Sequence, residues 1–176
     1  MLATAKLLPI IKVPDPILRQ EAMPVAEITD GTRQLLDDMA ATMYSAPGIG
    51  LAAPQVNVSL RVIVIDCGND DNAELIKMVN PEIIGVSDAR SIVEEGCLSI
   101  PDQTADVERP AEIEVRYLDK NGTIQSLVAT GLLATCVQHE IDHLNGVLFI
   151  DHISRLKRDM IMRRIIKEMR QSTSHK

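Results

Sequence analysis

The sequence predicts an α+β fold: mostly antiparallel strands packed around a central H-E-x-x-H helix, with an N-terminal helix and a C-terminal helix. Three observations carry this reading. Residues 29–45 (TDGTRQLLDDMAATMYS) place Leu35, Leu36, Met39, Ala40 and Met43 at helical spacing. Residues 111–130 hold two alternating runs joined by Asn121-Gly122, a strong hairpin signal. Residues 132–144 (LLATCVQHEIDHL) form an amphipathic run opened by Gly131 and stopped by Asn145-Gly146.

The elements follow in order. Thr29 or Asp30 caps the first helix. Residues 46–58 (APGIGLAAPQVNV) read as a loop of small residues, and LRVIVIDC (60–67) as a strand of buried type. IKMVNP (76–81) suits another strand, while RSIVEEGCLSIP (90–101) reads as a loop or irregular strand carrying a cysteine. The hairpin and the H-E-x-x-H helix come next, then VLFIDHI, and Ser154 caps a last helix over 155–170.

The 176 residues suit one catalytic domain, 1–176, with a basic helix and tail at 155–176. Net charge is −7, unevenly spread: residues 155–176 hold eight Lys or Arg and two acids, the other 154 hold ten and twenty-three. An acidic body with two Tyr, one Phe and no Trp argues against sequence-specific nucleic acid binding, while the basic tail suits an acidic partner. No apolar run reaches the length of a membrane span. The N-terminus (MLATAKLLPIIKVPDP) lacks the marks of a signal or transit peptide, and three cysteines suggest reduced thiols, so a cytoplasmic location is expected.

The chemistry centres on His139-Glu140-x-x-His143. On a helix the two imidazoles share a face and can grip one metal ion, with Glu140 beside it. A third ligand is needed. The spacing H-E-x-x-H-x-x-G-x-x-H fails at Phe149, which cannot ligate. Glu168 sits among Arg163, Arg164, Lys167 and Arg170 on a helix that reads as solvated. His152 reads as a surface histidine, and His175 lies in the tail. Cys67 ends a buried strand, and Cys136 shares the helix with both histidines and reads as core or pocket lining. Cys97, after Gly96 in an irregular segment, remains. A Cys/His/His set leaves a fourth position for water, the mark of a catalytic rather than a structural site. GIGLAA (48–53) satisfies the dinucleotide pattern G-x-G-x-x-A, but a helix precedes it and Pro54 follows, so nucleotide binding is rejected. Two rivals stay distinct: an endopeptidase would need Glu168 or a histidine as third ligand, and a structural zinc module would need a fourth protein ligand.

Three segments together, Gly48–Gln55 (GIGLAAPQ), Glu95–Ser99 (EGCLS) and Gln138–His143 (QHEIDH), resemble the signatures of the peptide deformylases in order and spacing. The resemblance extends from KVPDPILRQEAMPV to about Arg170. It implies hydrolysis of the N-formyl group from the formyl-methionine of nascent polypeptides, releasing formate. Cys97, His139 and His143 would hold one divalent metal ion, natively Fe²⁺, with Zn²⁺, Ni²⁺ or Co²⁺ possible on isolation. Glu140 would move the proton, and Gln55 and the Leu98 N–H would donate to the oxyanion. Gly50 would offer its carbonyl to the substrate, and Ile49, Val93, Leu132, Thr135, Cys136 and the stem of Glu95 would line the pocket for the first side chain. Asp142 is expected to pair with Arg109, and the basic last helix to contact the ribosome. Thr104 and Thr135 depart from the family pattern, standing where some members have an arginine and a larger aliphatic.

Overall fold

Thr29 sets the start of the first helix. Its Oγ1 accepts from the Thr32 N–H at 3.4 Å while its own N–H donates to Thr32 Oγ1 at 3.2 Å, which satisfies two main-chain donors reciprocally. Helix α1 then runs Asp30–Ser45 and buries Leu36, Met39, Ala40 and Met43. The computed structural model describes residues 4–68 and 74–173. Its strands are β1 (Gly50–Ala52), β2 (Val62–Ile65), β3 (Ile76–Val86), β4 (Arg90–Cys97), β5 (Ile100–Pro110), β6 (Glu112–Leu118) and β7 (Ile124–Thr130). Helix α2 (Gly131–Leu144), a 3₁₀ turn (Phe149–His152) and helix α3 (Arg155–Thr173) follow.

Five strands form one antiparallel sheet in the order β1-β2-β3-β6-β7, and β4 pairs with β5 in a separate hairpin. The fold is α+β. Strand β2 shows why VIVI carries no polar residue. Val62 and Val64 pack with Leu36, Met39 and Met43 of α1, while Ile63 and Ile65 pack with Ala134, Val137 and Ile141 of α2. The strand is covered on both faces, so its sequence is a continuous apolar run. A third cluster joins Ile100 and Val107 of β5 to Phe149 and Ile150 of the 3₁₀ turn and to Ile161 and Ile165 of α3.

The structure differs from the sequence reading in two places. Residues 46–58 are not all loop: Gly50–Ala52 pairs with β2, and Ala53–Val56 is a 3₁₀ turn, because small side chains let the main chain lie against its neighbours. Residues 100–110, unassigned beyond the irregular segment, form an eleven-residue strand. Its buried positions include Gln103 and Arg109, so no apolar alternation marks it. Helix α3 buries Ile161 and Ile165 and leaves Leu156, Met160, Ile166 and Met169 exposed.

Asn145-Gly146 ends α2 as expected. Gly146 has φ +70°, and an added Cβ would lie 2.5 Å from the Arg19 carbonyl oxygen. Gly146→Ala is therefore expected to destabilise the protein by about 2–3 kcal/mol, from left-handed strain plus backbone displacement, read as a lowered urea midpoint at unchanged m-value.

Candidate active site

Helix α2 carries its polar face into the interior. His139, Glu140 and His143 are all buried, His143 at 1% exposure. Cys97 meets them from the end of β4, just past a register shift between Gly96 and Cys97. A bulge of this kind turns a side chain out of its strand's alternation. Cys97 Sγ lies 3.2 Å from His143 Nε2, and the donor atoms of Cys97, His139 and His143 lie within 4.8 Å of one another. Ligands about 2.0–2.3 Å from one tetrahedral ion sit ~3.3–3.8 Å apart, so this cluster has the scale of a metal site.

The surroundings suit a cation. Glu95 Oε2 accepts from His139 Nδ1 at 2.9 Å, which leaves Nε2 as that ring's free nitrogen. Arg109 donates Nε to Glu95 Oε1 at 2.6 Å and Nη2 to Oε2 at 3.0 Å, and its Nη1 reaches Asp142 Oδ2 at 2.9 Å. Burial works against a charge on Glu95, but the hydrogen bonds from His139 and Arg109 outweigh it and hold the carboxyl down at about 2. Burial likewise opposes a charge on His139, yet its contacts with Cys97 and Glu95 and the nearby Glu140 raise its pKa well above the ordinary imidazole value. The centre thus favours positive charge. Burial, reinforced by the His139 and Arg109 charges, pushes His143 well below its usual value and keeps it neutral.

Glu140 differs from Glu95. Burial, with a further push from the Glu95 charge, raises its carboxyl to about 7 against the pull of His139 and Arg109. Glu140 Oε2 and His143 Nδ1 are the buried side-chain polar atoms without a hydrogen-bond partner among the described residues. Such atoms are costly to leave unmet, and an unmet carboxylate oxygen beside a sulfur-imidazole cluster fits a site built to take an ion and water. A carboxyl poised near neutrality can both accept and release a proton.

These groups open onto a cavity of about 510 Å³ lined by Ile49, Gly50, Gln55, Val93, Glu95, Cys97, Leu98, Leu132, Thr135, Cys136, His139 and Glu140, among others. All the sequence-predicted site residues line it except His143, which lies behind as part of the cluster. Gln55 is oriented by its neighbours: Oε1 accepts from the Ala52 N–H at 2.9 Å, and Nε2 reaches Ser99 Oγ at 3.1 Å and Cys97 Sγ at 3.5 Å. A Cβ on Gly50 would run into Glu140 Oε1 and lie 2.8 Å from Cys136 Sγ. The glycine therefore makes room for the acid as well as for any substrate. Cys136 Sγ donates to the Ile49 carbonyl at 3.6 Å, and the neighbouring Cys67 together with burial raises its pKa well above the ordinary thiol value, a protonated lining residue.

Several placements differ from the sequence reading. Glu95 was read as a pocket wall, yet its carboxylate is the hub between Arg109 and His139. His152 is exposed, as its reading as a surface histidine expects, and its ring also donates to Asp142 Oδ2 at 2.7 Å. Phe149, dismissed as a non-ligand, stacks on the His139 ring with centroids 6.3 Å apart and planes at 22°. Ser99 and Gln103 are buried polar residues to which the sequence reading gives no role: Ser99 Oγ lies 3.1 Å from Gln55 Nε2, and Gln103, on β5, lines the cavity. Glu168 is exposed on α3, and His175 lies outside the described residues.

A polypeptide deformylase family model matches residues 7–159. A peptide deformylase from Mesorhizobium japonicum is 58% identical over 160 residues, covering 90% of this chain and 91% of that protein. The crystal structure of peptide deformylase from Ehrlichia chaffeensis superposes with a TM-score of 0.91 at 36% identity, covering 96% of this chain and 99% of that one. A structure of peptide deformylase from the same organism in complex with actinonin gives 0.87 at 38% identity, over 93% and 98% of the two chains.

Arg109 is 5% exposed and holds two carboxylates together. Arg109→Met should leave the buried Glu95 with His139 as its remaining partner and Oε1 without one, at a cost of about 3–5 kcal/mol, measured by denaturant unfolding.

Proposed function

We propose that this chain, which belongs to the polypeptide deformylase family of metal-dependent hydrolases, acts as one catalytic domain that removes the formyl group from the formyl-methionine of nascent polypeptides. The carrying observation is the convergence of Cys97, His139 and His143 beside a buried carboxylate oxygen with no partner, at the floor of the cavity.

Cys97 Sγ, His139 Nε2 and His143 Nε2 would hold the ion. A bound divalent metal supplies Lewis acidity that lets water act as a nucleophile near neutral pH. A thiolate with two imidazoles suits iron, zinc, cobalt or nickel, with Fe²⁺ proposed as the native ion. Glu140 takes a proton from the attacking water as oxygen adds to the formyl carbon. Gln55 Nε2 and the Leu98 N–H donate to the oxyanion; such a donor typically contributes on the order of 10²–10³ in rate. Glu140 then delivers its proton to the leaving amine, the C–N bond breaks, and formate and a free N-terminus result. The Gly50 carbonyl would take a hydrogen bond from the substrate main chain. Ile49, Val93, Leu132, Thr135 and Cys136 would enclose the methionine side chain. Their apolar surface discriminates by about 1–3 kcal/mol per methylene.

No helix among the described residues is long and apolar enough to cross a membrane. Helix α3 exposes Arg155, Arg163, Arg164 and Lys167 beside an incompletely buried apolar stripe, which supports contact with the acidic ribosome surface in the cytoplasm.

Three measurements test these roles. Glu140→Gln should retain metal, by metal analysis, while formate release from formyl-Met-Ala-Ser falls at least 10³-fold; near-normal turnover would reject the proton-transfer role. Cys97→Ser should lose both metal and activity. Ribosome pelleting should show association that weakens steeply between 50 and ~200 mM salt, and salt-insensitive or absent association would reject the α3 contact.

A further inference from the structure

We propose that His152 is a positioning residue for His139: it is the solvent-side anchor of a hydrogen-bonded relay through Asp142, Arg109 and Glu95 that orients the buried imidazole. The proposal rests on the reading of His139 as a metal ligand.

The relay has no gap. His152 Nε2 donates to Asp142 Oδ2 at 2.7 Å, and the same oxygen accepts from Arg109 Nη1 at 2.9 Å. Arg109 grips Glu95 with Nε and Nη2, and Glu95 Oε2 accepts from His139 Nδ1 at 2.9 Å. Charge alternates along it: carboxylate, guanidinium, carboxylate. Side-chain exposure falls inward, from 34% at His152 and 21% at Asp142 to 5% at Arg109 and 4% at Glu95. The inner members are fixed by packing. Asp142 is the carboxylate of the relay with access to water, so a dedicated donor there decides whether Arg109 meets one carboxylate geometry or several.

A second, independent contact joins the same element to the same ring. His152 closes the 3₁₀ turn Phe149–His152, and Phe149 opens it by stacking on the His139 ring. That turn touches His139 twice, by its face directly and by its Nδ1 through the relay. The turn is itself held in place: Asp151 accepts from the Leu148 N–H at 2.9 Å and pairs with Arg19. Imidazole ligands need both a fixed ring plane and a fixed tautomer, and a donor-acceptor chain behind the ring supplies the second.

The test compares wild type, His152→Ala and His152→Gln, the last retaining a side-chain N–H donor. Co²⁺ affinity of the metal-free protein is measured by chelator competition, with the thiolate-to-cobalt absorption band recorded, alongside kcat, KM and the urea midpoint of the metal-free form. Loss of a direct partner of a metal ligand costs 10- to 100-fold, so removal of this outer anchor should weaken Co²⁺ binding and kcat by about three- to tenfold. KM and the urea midpoint should hold, and His152→Gln should recover most of the loss. Wild-type affinity and kcat in His152→Ala would overturn the proposal, as would a loss that tracks a lowered urea midpoint and is not rescued in His152→Gln. A wild-type protein that binds Co²⁺ without the thiolate band would instead overturn the ligand assignment beneath it.

Discussion

The constraint from which the rest of the structure follows is the burial of two imidazoles and a carboxyl on the core face of one helix. Helix α2 packs Ala134, Val137, Ile141 and Leu144 against the five-stranded sheet, and on the same fourteen residues it carries His139, Glu140 and His143 inward. Burying such groups without partners costs several kcal/mol. The fold sets a buried ion pair against that helix face. Arg109 and Glu95 come from adjacent strands of the β4–β5 hairpin, which packs with the 3₁₀ turn and α3 rather than pairing with the main sheet. The hairpin's buried polar residues are the complement of the helix's buried polar face.

This arrangement separates two glutamates that look alike in sequence. Glu95 has the guanidinium of Arg109 and the imidazole of His139 against it and stays ionised. Glu140 has burial and a like charge against it and sits near neutrality. One orients, the other can exchange a proton, and the difference is set by which neighbours lie within hydrogen-bond reach.

Close approach is the other device. Gly50 lies where any side chain would strike Glu140, and a Cβ on Gly48 would come 2.8 Å from the Leu98 side chain. The small-residue segment thus brings a short edge strand against α2 and the Cys97 loop at once. Gln55, at the end of that segment, has its amide turned toward the cysteine because the Ala52 N–H occupies its oxygen. The cavity is the space left between β1, the β4–β5 hairpin and α2.

The sequence by itself determined the elements whose signals are local. Helix α1 with its cap at Thr29 or Asp30, strand β2, the Asn121-Gly122 hairpin and α2 are specified by periodicity, capping and turn chemistry over a few residues, and H-E-x-x-H places two imidazoles on one helical face whatever surrounds them. Cys97 was reached by excluding alternatives. Tertiary structure alone decided the remainder. Strand β5 is invisible as a strand because Gln103 and Arg109 occupy inward positions that apolar alternation would mark. Glu95 became a hub and His152 an anchor because Arg109, fourteen residues after Glu95 and thirty-three before Asp142, lies against both. A charge's role depends on the partners and the water around it, and the chain brings those together from distances that local pattern does not encode.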